Sequence, residues 1–465
     1  MASRAIWSAG TTLVASVAWA CGLGFEVDQA EFCRKRPTDL SCSAAGAGGV
    51  AGTFGGGAAG APMGAGGTAG LGGGGGSGGQ GGLVCTAPTT NCGGTCVNVK
   101  ADDAANCGAC GRSCLGAATC TAGACVPEAM AENEVAPYAL ADDGTNLYWV
   151  SPAIRAGGSV NDAKMRRVAK ASAGGAATNA FASIIVRARS LAFGGGRLYW
   201  GDLGANPSDT NQNLFSGVPG QVVAQLIEAG QLNVQHVALA GAKVYWSVAN
   251  DAAVRGKNAD NTGLMSPNVL GQSSVGWLAV NEQARPYWLA GVPREVRRLK
   301  AASTSEHEKV ADSPNAVAVE VGGGRVYWAE GTAVRSAPEA TPTTVTPEVE
   351  GLGKVEGFAV VAANGGGAGG AAGSGGAGGA GEVTLYVVTA QGRQLKAWRR
   401  GPDDEAPLLL GEVTAKAEPY GGNPFGAAHV MVDDEYVYFA DVGTVDTGQV
   451  VPVSQGDGIV YRVAR

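Results

Sequence analysis

The apolar positions in the second half of the chain fall into seven similar units. Each unit has a short apolar strand, a polar or glycine turn and a second strand that carries an aromatic pair. The pairs, or their weakened copy, are Tyr148-Trp149, Tyr199-Trp200, Tyr245-Trp246, Tyr287-Trp288, Tyr327-Trp328, Tyr386-Val387 and Tyr438-Phe439. They stand between 40 and 59 residues apart, a period typical of four-stranded propeller blades. The pattern predicts an all-β propeller with seven blades, six being the alternative.

The aromatic strands indicate how the blades pack. A strand with one solvent-exposed face alternates apolar and polar residues. The run Leu198-Tyr199-Trp200 is continuously apolar, so we expect it to be covered on both faces. We therefore expect the aromatic pairs to form the core between blades rather than a carbohydrate-stacking surface. A repeated alanine, at Ala192, Ala238, Ala279 and Ala318, is expected on the crowded strands next to the axis. The last repeat is one strand short, so residues 128–134 are predicted to complete that blade.

Composition divides the rest of the chain. Of the 77 glycines in 465 residues, many lie in two low-complexity tracts that cannot bury enough apolar surface to fold alone. The predicted plan is a signal peptide (1–20), an anchor-proximal segment (21–42), a disordered Gly/Ala-rich linker (43–83), a disulfide-rich module (84–126) and the propeller (127–465) with a Gly-rich loop insertion (365–381).

The N-terminus is typical of an export signal. Arg4 precedes an apolar run, and Ala18 and Ala20 are small residues where a signal peptidase cleaves. Cys21 follows directly, and residues 17–21 resemble a lipobox. The bulky Trp19 differs from the small residue that is usual at that position of a lipobox. The chain has 11 cysteines, and lipidation of Cys21 would leave an even number. We expect a lipid anchor on Cys21, with ordinary secretion as the alternative.

The remaining ten cysteines are predicted to form disulfides. They are Cys33, Cys42, Cys85, Cys92, Cys96, Cys107, Cys110, Cys114, Cys120 and Cys125. Cys33 and Cys42 can close a small loop or pair with cysteines further on. Eight cysteines lie within residues 85–125, a segment too short to be stabilised by a core. Some of their spacings suit zinc, but no histidine is near and export favours oxidation. Their connectivity stays open.

Two families resemble parts of this chain. The run from Asn91-Cys92-Gly93 to Asn98, followed by Asn106-Cys107-Gly108, resembles the stigma-specific (Stig1-like) cysteine-rich module, which implies a small extracellular disulfide domain. The Tyr-Trp hairpins resemble YWTD-like propellers, which often have six blades, although the Thr-Asp of that motif is absent. Together these resemblances suggest a secreted lipoprotein of the myxobacterial type.

Candidate chemistry is sparse. The formal charge of −7 argues against a nucleic-acid partner, and no motif assigns a catalytic, cofactor-binding or metal-binding residue. Of the three histidines, His236 and His429 occupy the same register of a first strand and could both face the axial channel, unlike His307. A metal or acid–base site is conceivable there, but we favour polar channel residues.

These observations predict an exported binding or interaction protein, an outer-membrane or cell-surface lipoprotein or else a secreted protein. Its partners would be the membrane, through a lipid on Cys21, and an unknown protein or carbohydrate on the propeller loops. No cofactor is expected. Two other functions stay open: a propeller-type hydrolase or lyase with an axial site near His236 and His429, and a passive structural envelope protein.

Overall fold

The computed structural model describes residues 83–159, 163–182, 186–204, 212–362, 382–402, 404, 406–416, 429–449 and 451–465. The predicted signal peptide, Cys21, Cys33, Cys42, the linker up to residue 82 and the glycine-rich insertion 365–381 lie outside the described residues. Within those ranges, no helix has the length and hydropathy needed to cross a membrane.

The described residues form seven four-stranded antiparallel sheets, preceded by short strands of the cysteine-rich module. The early strands are β1 (Thr90–Cys92), β2 (Thr95–Val97), β3 (Cys120–Thr121), β4 (Ala124–Cys125) and β5 (Glu128–Glu134). Blade 1 comprises β6 (Ala139–Asp142), β7 (Asn146–Val150) and, after the short β8 (Ile154–Arg155), β9 (Arg166–Ala169) and β10 (Thr178–Asn179).

Blades 2 to 4 follow in chain order. Blade 2 comprises β11 (Leu191–Gly194), β12 (Arg197–Gly201), β13 (Leu214–Gly217) and β14 (Gln225–Glu228). Blade 3 comprises β15 (Val234–Ala240), β16 (Lys243–Val248), β17 (Ala253–Asn258) and β18 (Asn268–Val269). Blade 4 comprises β19 (Leu278–Val280), β20 (Pro286–Ala290), β21 (Glu295–Leu299) and β22 (His307–Asp312).

Blades 5 to 7 complete the set. Blade 5 comprises β23 (Ala316–Gly322), β24 (Arg325–Glu330), β25 (Ala333–Pro338) and β26 (Thr346–Glu350). Blade 6 comprises β27 (Lys354–Ala362), β28 (Val383–Gln391), β29 (Gln394–Arg400) and β30 (Leu408–Thr414). Blade 7 comprises β31 (Met431–Val432), β32 (Tyr436–Asp441) and, after β33 (Val445–Asp446) and β34 (Val453–Ser454), β35 (Gly458–Ala464), with β5 as its outer strand.

The sheets surround one axis. The first strand of each blade contacts the first strand of the next, from β6 through β11, β15, β19, β23 and β27 to β31, and β31 contacts β6 again. The protein is therefore an all-β propeller, with the first strands lining the axis. We call the end where first strands turn into second strands the hairpin face, and the opposite end, where successive blades are joined, the connection face.

The aromatic pairs form the core between blades, as predicted. Leu198 and Trp200 pack in the same cluster as Tyr148 of blade 1, whereas Tyr199 packs with Val237 of blade 3. The two faces of β12 are thus covered by the two neighbouring blades. Each such buried side chain contributes roughly 1.5–3 kcal/mol relative to exposure, which explains why the motif repeats.

The N-terminal strand closes the last blade. β5 pairs antiparallel with β35, so residues 128–134 complete blade 7 as predicted. On the connection face, β34 also pairs in parallel with β8, joining loops of blades 7 and 1. These pairings occupy the strand edges that an open seam would expose.

The eight cysteines of residues 85–125 form four disulfides, confirming the expected chemistry against zinc. The pairs are Cys85–Cys96, Cys92–Cys110, Cys107–Cys120 and Cys114–Cys125. The sulfurs of Cys107, Cys114 and Cys125 lie within 4.8 Å of one another, but each is bonded to a partner sulfur. The module packs against blades 6 and 7, sharing a buried cluster with Leu410 and Val463.

Candidate functional site on the propeller axis

Three aromatic side chains occupy equivalent positions next to the axis. His236 lies in β15 opposite Ser247 and two residues before Ala238, which faces the aromatic Tyr245. His429 stands two residues before Met431, which pairs with Tyr438 in the same way. Both histidines therefore have the register predicted from the sequence, towards the connection face.

Trp277 holds the same position in blade 4 and was not predicted. It stands two residues before Ala279, which pairs with Tyr287. Counting back two residues from the alanine opposite the aromatic strand, as for His236, would have found it.

The structure brings these rings together across the axis. The ring centroids of His236 and His429 are 5.0 Å apart, with an interplanar angle of 29°. Trp277 contacts both, with centroid distances of 4.4 Å to His236 and 4.8 Å to His429. Tyr138 meets His429 edge-on at 6.0 Å. Blades 3, 4, 7 and 1 thus contribute one ring each to what we call the axial cluster: Tyr138, His236, Trp277 and His429.

A buried carboxyl group lies beside this cluster. Trp277 Nε1 donates to Glu320 Oε1 at 3.4 Å. Burial raises the pKa of Glu320 to about 8, and the hydrogen bond from Trp277 opposes this rise. At neutral pH the carboxyl is therefore mostly protonated and uncharged.

Glu320 takes, in blade 5, the position opposite the tyrosine that alanine holds in blades 2 to 4. Glu320 pairs with Tyr327, whereas Ala318 pairs with Ala329 and is buried in the first strand of the blade, as expected from the sequence. Counting back through the glycine hairpin from Tyr327 would have given this register. An irregularity in pairing between Ala316 and Ala318 then shifts the start of the strand.

Both axial imidazoles are neutral. Burial lowers the pKa of His429 to about 3. Burial lowers the pKa of His236 well below its usual value, repulsion between the two rings if both were protonated adds to this, and a polar interaction with the Leu278 backbone opposes it. Within the described residues, no hydrogen bond of good geometry reaches Nδ1 or Nε2 of either ring. The pair therefore presents uncharged nitrogen atoms, and a neutral imidazole can bind a metal or accept a proton.

A basic side chain, Arg189, interacts with Tyr138 of the axial cluster. Arg189 Nη1 donates to Gln235 Oε1 at 3.4 Å. Burial lowers the pKa of Arg189, and the nearby Tyr138 partly opposes this change. Burial also raises the pKa of Tyr138.

The third histidine lies elsewhere. His307 belongs to the outer strand of blade 4, where its Nε2 is 2.8 Å from Gln272 Nε2 and its Nδ1 is 2.9 Å from Arg297 Nη1. It therefore forms no part of the axial cluster.

A separate cavity opens on the hairpin face between blades 3, 4 and 5. It has a volume of about 690 Å³ and is lined by Lys243, Arg285 and Lys300 together with apolar surface from Tyr245 and Ala301. Cavities of this size accommodate small ligands or a side chain of a partner. Sequence analysis could not predict this cavity, because its walls come from the turns of three blades.

No family model and no curated protein sequence matches the chain. Solved structures share the propeller architecture at low identity. Virginiamycin B lyase from Staphylococcus aureus is 9% identical with a TM-score of 0.47, covering 72% of this chain and 97% of the lyase. Nidogen, in its complex with laminin, is 13% identical with a TM-score of 0.36, covering 59% of this chain and 95% of that chain.

YCF48 bound to a D1 peptide is 9% identical with a TM-score of 0.44, covering 71% of this chain and 94% of that chain. At these identities no residue role is transferred to this chain.

Proposed function

We propose that this protein is an exported cell-surface binding protein, anchored in the outer membrane by a lipid on Cys21, whose propeller loops bind a protein or carbohydrate. The observation that carries the binding role is the cavity of about 690 Å³ on the hairpin face. Its walls come from three successive blades, so a rigid ring fixes their relative positions.

Export is supported by the cysteine chemistry of the described module. Four disulfides within residues 85–125 persist in an oxidising compartment and are rare in a reducing one. The apolar leader and the lipobox-like residues before Cys21 agree with the same route.

The lining of the cavity is suited to a polar ligand with some apolar surface. Lys243 Nζ donates to the Ser266 carbonyl at 3.3 Å, and Tyr245 hydroxyl donates to the Ala284 carbonyl at 3.0 Å. These contacts fix the wall, while the lysine leaves two further ammonium donors for a ligand. Such a mixture of fixed polar groups and apolar surface is typical of ligand sites.

The anchor is tested by intact-mass analysis of the membrane fraction. We expect a diacylglyceryl mass on Cys21 in the wild type, and loss of the protein from membranes in Cys21→Ser. A soluble mature chain that starts at Cys21 and carries no lipid would reject the anchor and leave ordinary secretion.

The binding site is tested by filling the cavity. Ala301→Trp places a large side chain on its wall, whereas Ala229→Trp makes the same change at an exposed position on the connection face. The wild type and both variants are compared on an array of glycans and on immobilised envelope proteins. Saturable binding lost only in Ala301→Trp supports the site; equal binding by all three rejects it, and no saturable binding by any favours a passive envelope role.

One observation favours a second candidate, a hydrolase or lyase with an axial site. Two neutral imidazoles meet beside a protonated carboxyl, and neutral histidine is a common general base. Lactones, glycosides and pectin-like substrates can be screened with His236→Leu and His429→Leu in parallel. Turnover that disappears with either change would replace the binding role by catalysis.

A further inference from the structure

The cavity between blades 3, 4 and 5 is lined mainly by positive charge, although the chain as a whole is acidic. Its lining has three cationic side chains, those of Lys243, Arg285 and Lys300, and one carboxylate, that of Glu339. The formal charge of the whole chain is −7. Basic groups that line one recess raise the local concentration of anions, so this cavity is suited to a ligand with a negative group.

The three cations differ in how far the fold already neutralises them. Arg285 pairs with Glu308 at 3.2 Å. Lys300 pairs in the same way with Glu306, also at 3.2 Å. Lys243 donates to one backbone carbonyl at 3.3 Å and forms no ion pair within the described residues. An ammonium group has three donors, so Lys243 keeps two of them and its full charge for a ligand.

The carboxylate of Glu339 is held in place with one oxygen atom left over. Its Oε2 accepts a hydrogen bond from the Asn281 amide at 2.7 Å and another from the Tyr287 hydroxyl at 3.1 Å. Arg298 donates to the backbone carbonyl of the same glutamate. Among the residues that the structure describes, none donates to Oε1. Since both oxygens of an ionised carboxylate accept hydrogen bonds, Glu339 offers an acceptor to a hydroxyl or N–H group of a ligand.

The ligand should therefore combine a negative charge with hydrogen-bond donors close to it. An acidic side chain of a partner protein carries the charge, but the carbon next to its carboxylate is a methylene group without a donor. A sugar acid carries hydroxyl groups on the carbons close to its carboxylate. The C–H faces of its ring also suit the small apolar side chains of Ala284, Ala301 and Ala302 in the wall. The volume of about 690 Å³ lies within the range of small-ligand sites.

We propose that this cavity binds a sugar that carries a carboxylate, which pairs with Lys243 while neighbouring hydroxyl groups donate to Glu339. The inference rests on the binding role proposed for the cavity and adds the chemical class of the ligand. The charge and the hydroxyl groups of the ligand then contribute separately to affinity, so a neutral analogue of the same shape can distinguish them.

The test is calorimetric titration of the full chain with disaccharides of galacturonic, glucuronic and mannuronic acid. Lys243→Met removes the charge but keeps a long side chain, whereas Lys309→Met makes the same change on the outer strand of blade 4, away from the cavity. We expect at least one acid to bind at one equivalent, equally to the wild type and Lys309→Met. Its affinity for Lys243→Met should be about tenfold weaker or more, because a charge-assisted hydrogen bond is lost.

The neutral dimethyl ester of that acid isolates the role of the charge. We expect the ester to bind to the wild type about tenfold more weakly than the acid, and equally to the wild type and Lys243→Met. Lys243→Arg keeps the positive charge and should restore most of the affinity for the acid. Near-ultraviolet circular dichroism reports whether each variant is folded, and Lys243→Gln replaces Lys243→Met if methionine perturbs the wall.

The outcomes that overturn the inference differ from those that reject the binding role. An ester that binds as tightly as its acid would indicate a neutral carbohydrate site, which leaves the binding role intact but removes the charge recognition. Inorganic phosphate or an aspartate-rich peptide that binds as tightly as the acids, with the same dependence on Lys243, would replace the sugar by a general anion or an acidic protein. If none of the acids binds, the inference fails, and the array comparison with Ala301→Trp decides the binding role by itself.

Discussion

Arg112 in the cysteine-rich module and His429 on the axis are both buried polar side chains, yet their surroundings are opposite. Arg112 is 8% exposed and donates to the carbonyls of Leu410 at 2.8 Å, Cys107 at 3.0 Å and Leu409 at 3.3 Å. His429 is 2% exposed and makes no hydrogen bond within the described residues. Carbonyl partners thus fix both terminal nitrogens of the Arg112 guanidinium to the fold, and only its Nε lacks a partner within the described residues, whereas both nitrogens of His429 lack one.

Two arginines of third strands, Arg166 and Arg255, resemble Arg112 in having built-in partners. Arg166 Nε donates to Glu134 at 3.1 Å, and the same carboxylate oxygen accepts the Trp149 indole N–H at 3.1 Å. In blade 3, Gln231 accepts in the same way from Arg255 and Trp246, both at 2.7 Å. These two arginines therefore fasten the aromatic core to the loop before the blade.

The largest expected effect on stability is at Arg112, whose guanidinium donates to four carbonyl groups. Arg112→Leu would leave several buried carbonyl groups without donors and so lower the free energy of unfolding by about 3–5 kcal/mol. Urea denaturation of the full chain, followed by tryptophan fluorescence, measures the change. Arg335→Leu is the control, because Arg335 is 37% exposed and its ion pairs are long, at 3.6 and 3.7 Å, so we expect a loss of only about 0–1 kcal/mol. Equal losses would contradict the structural role of Arg112.

Contacts such as those of Arg112 could not be predicted from the sequence. The aromatic repeat, the closing strand and the shared register of His236 and His429 follow from local periodicity. Arg112, however, bonds to carbonyls 298 and 352 residues further along the chain, which no local pattern can indicate. The stacking of His236 on His429 likewise depends on the ring bringing blades 3 and 7 face to face.

On the axis, Glu320 should make the protein less stable at alkaline pH. Its pKa is raised from 4.5 to about 8 on folding, so its contribution is fully present below pH 4.5 and is lost as pH rises through 8. Glu320→Gln keeps an acceptor for Trp277 but cannot ionise, so the variant should gain about 3 kcal/mol over the wild type between pH 5 and pH 8. Urea denaturation at the two pH values measures this gain. Parallel pH profiles would show that Glu320 is already ionised in the folded state.

Whereas Glu320 should lower the stability at alkaline pH, His429 should lower it at acidic pH. Its pKa is lowered from 6.5 to about 3 on folding, so the wild type should lose stability as pH falls below 6.5. His429→Leu removes this loss, and we expect the variant to gain about 2–3 kcal/mol over the wild type between pH 7.5 and pH 4.5, while His236 keeps its own contribution. The more exposed His307, changed to leucine, should give a smaller gain. No difference between the two variants would mean that the axial imidazole is solvated.

The smallest expected effect on stability concerns two glycines, Gly201 at the contact between two blades and Gly276 next to the axial cluster. A Cβ atom on Gly201 of β12 would lie 2.2 Å from Val234 Cβ of blade 3, so Gly201→Ala forces the two blades apart. Such overpacking costs about 1–3 kcal/mol. Gly276, next to Trp277, is the control, because its Cβ would meet only Leu289 Cβ at 3.9 Å, an ordinary contact. Gly276→Ala should leave stability unchanged or raise it by about 0.4–1 kcal/mol through the unfolded state. Thermal or urea denaturation ranks the two variants. If Gly276→Ala proves the more destabilising, the contact between blades 2 and 3 is looser than the surroundings of the axial cluster.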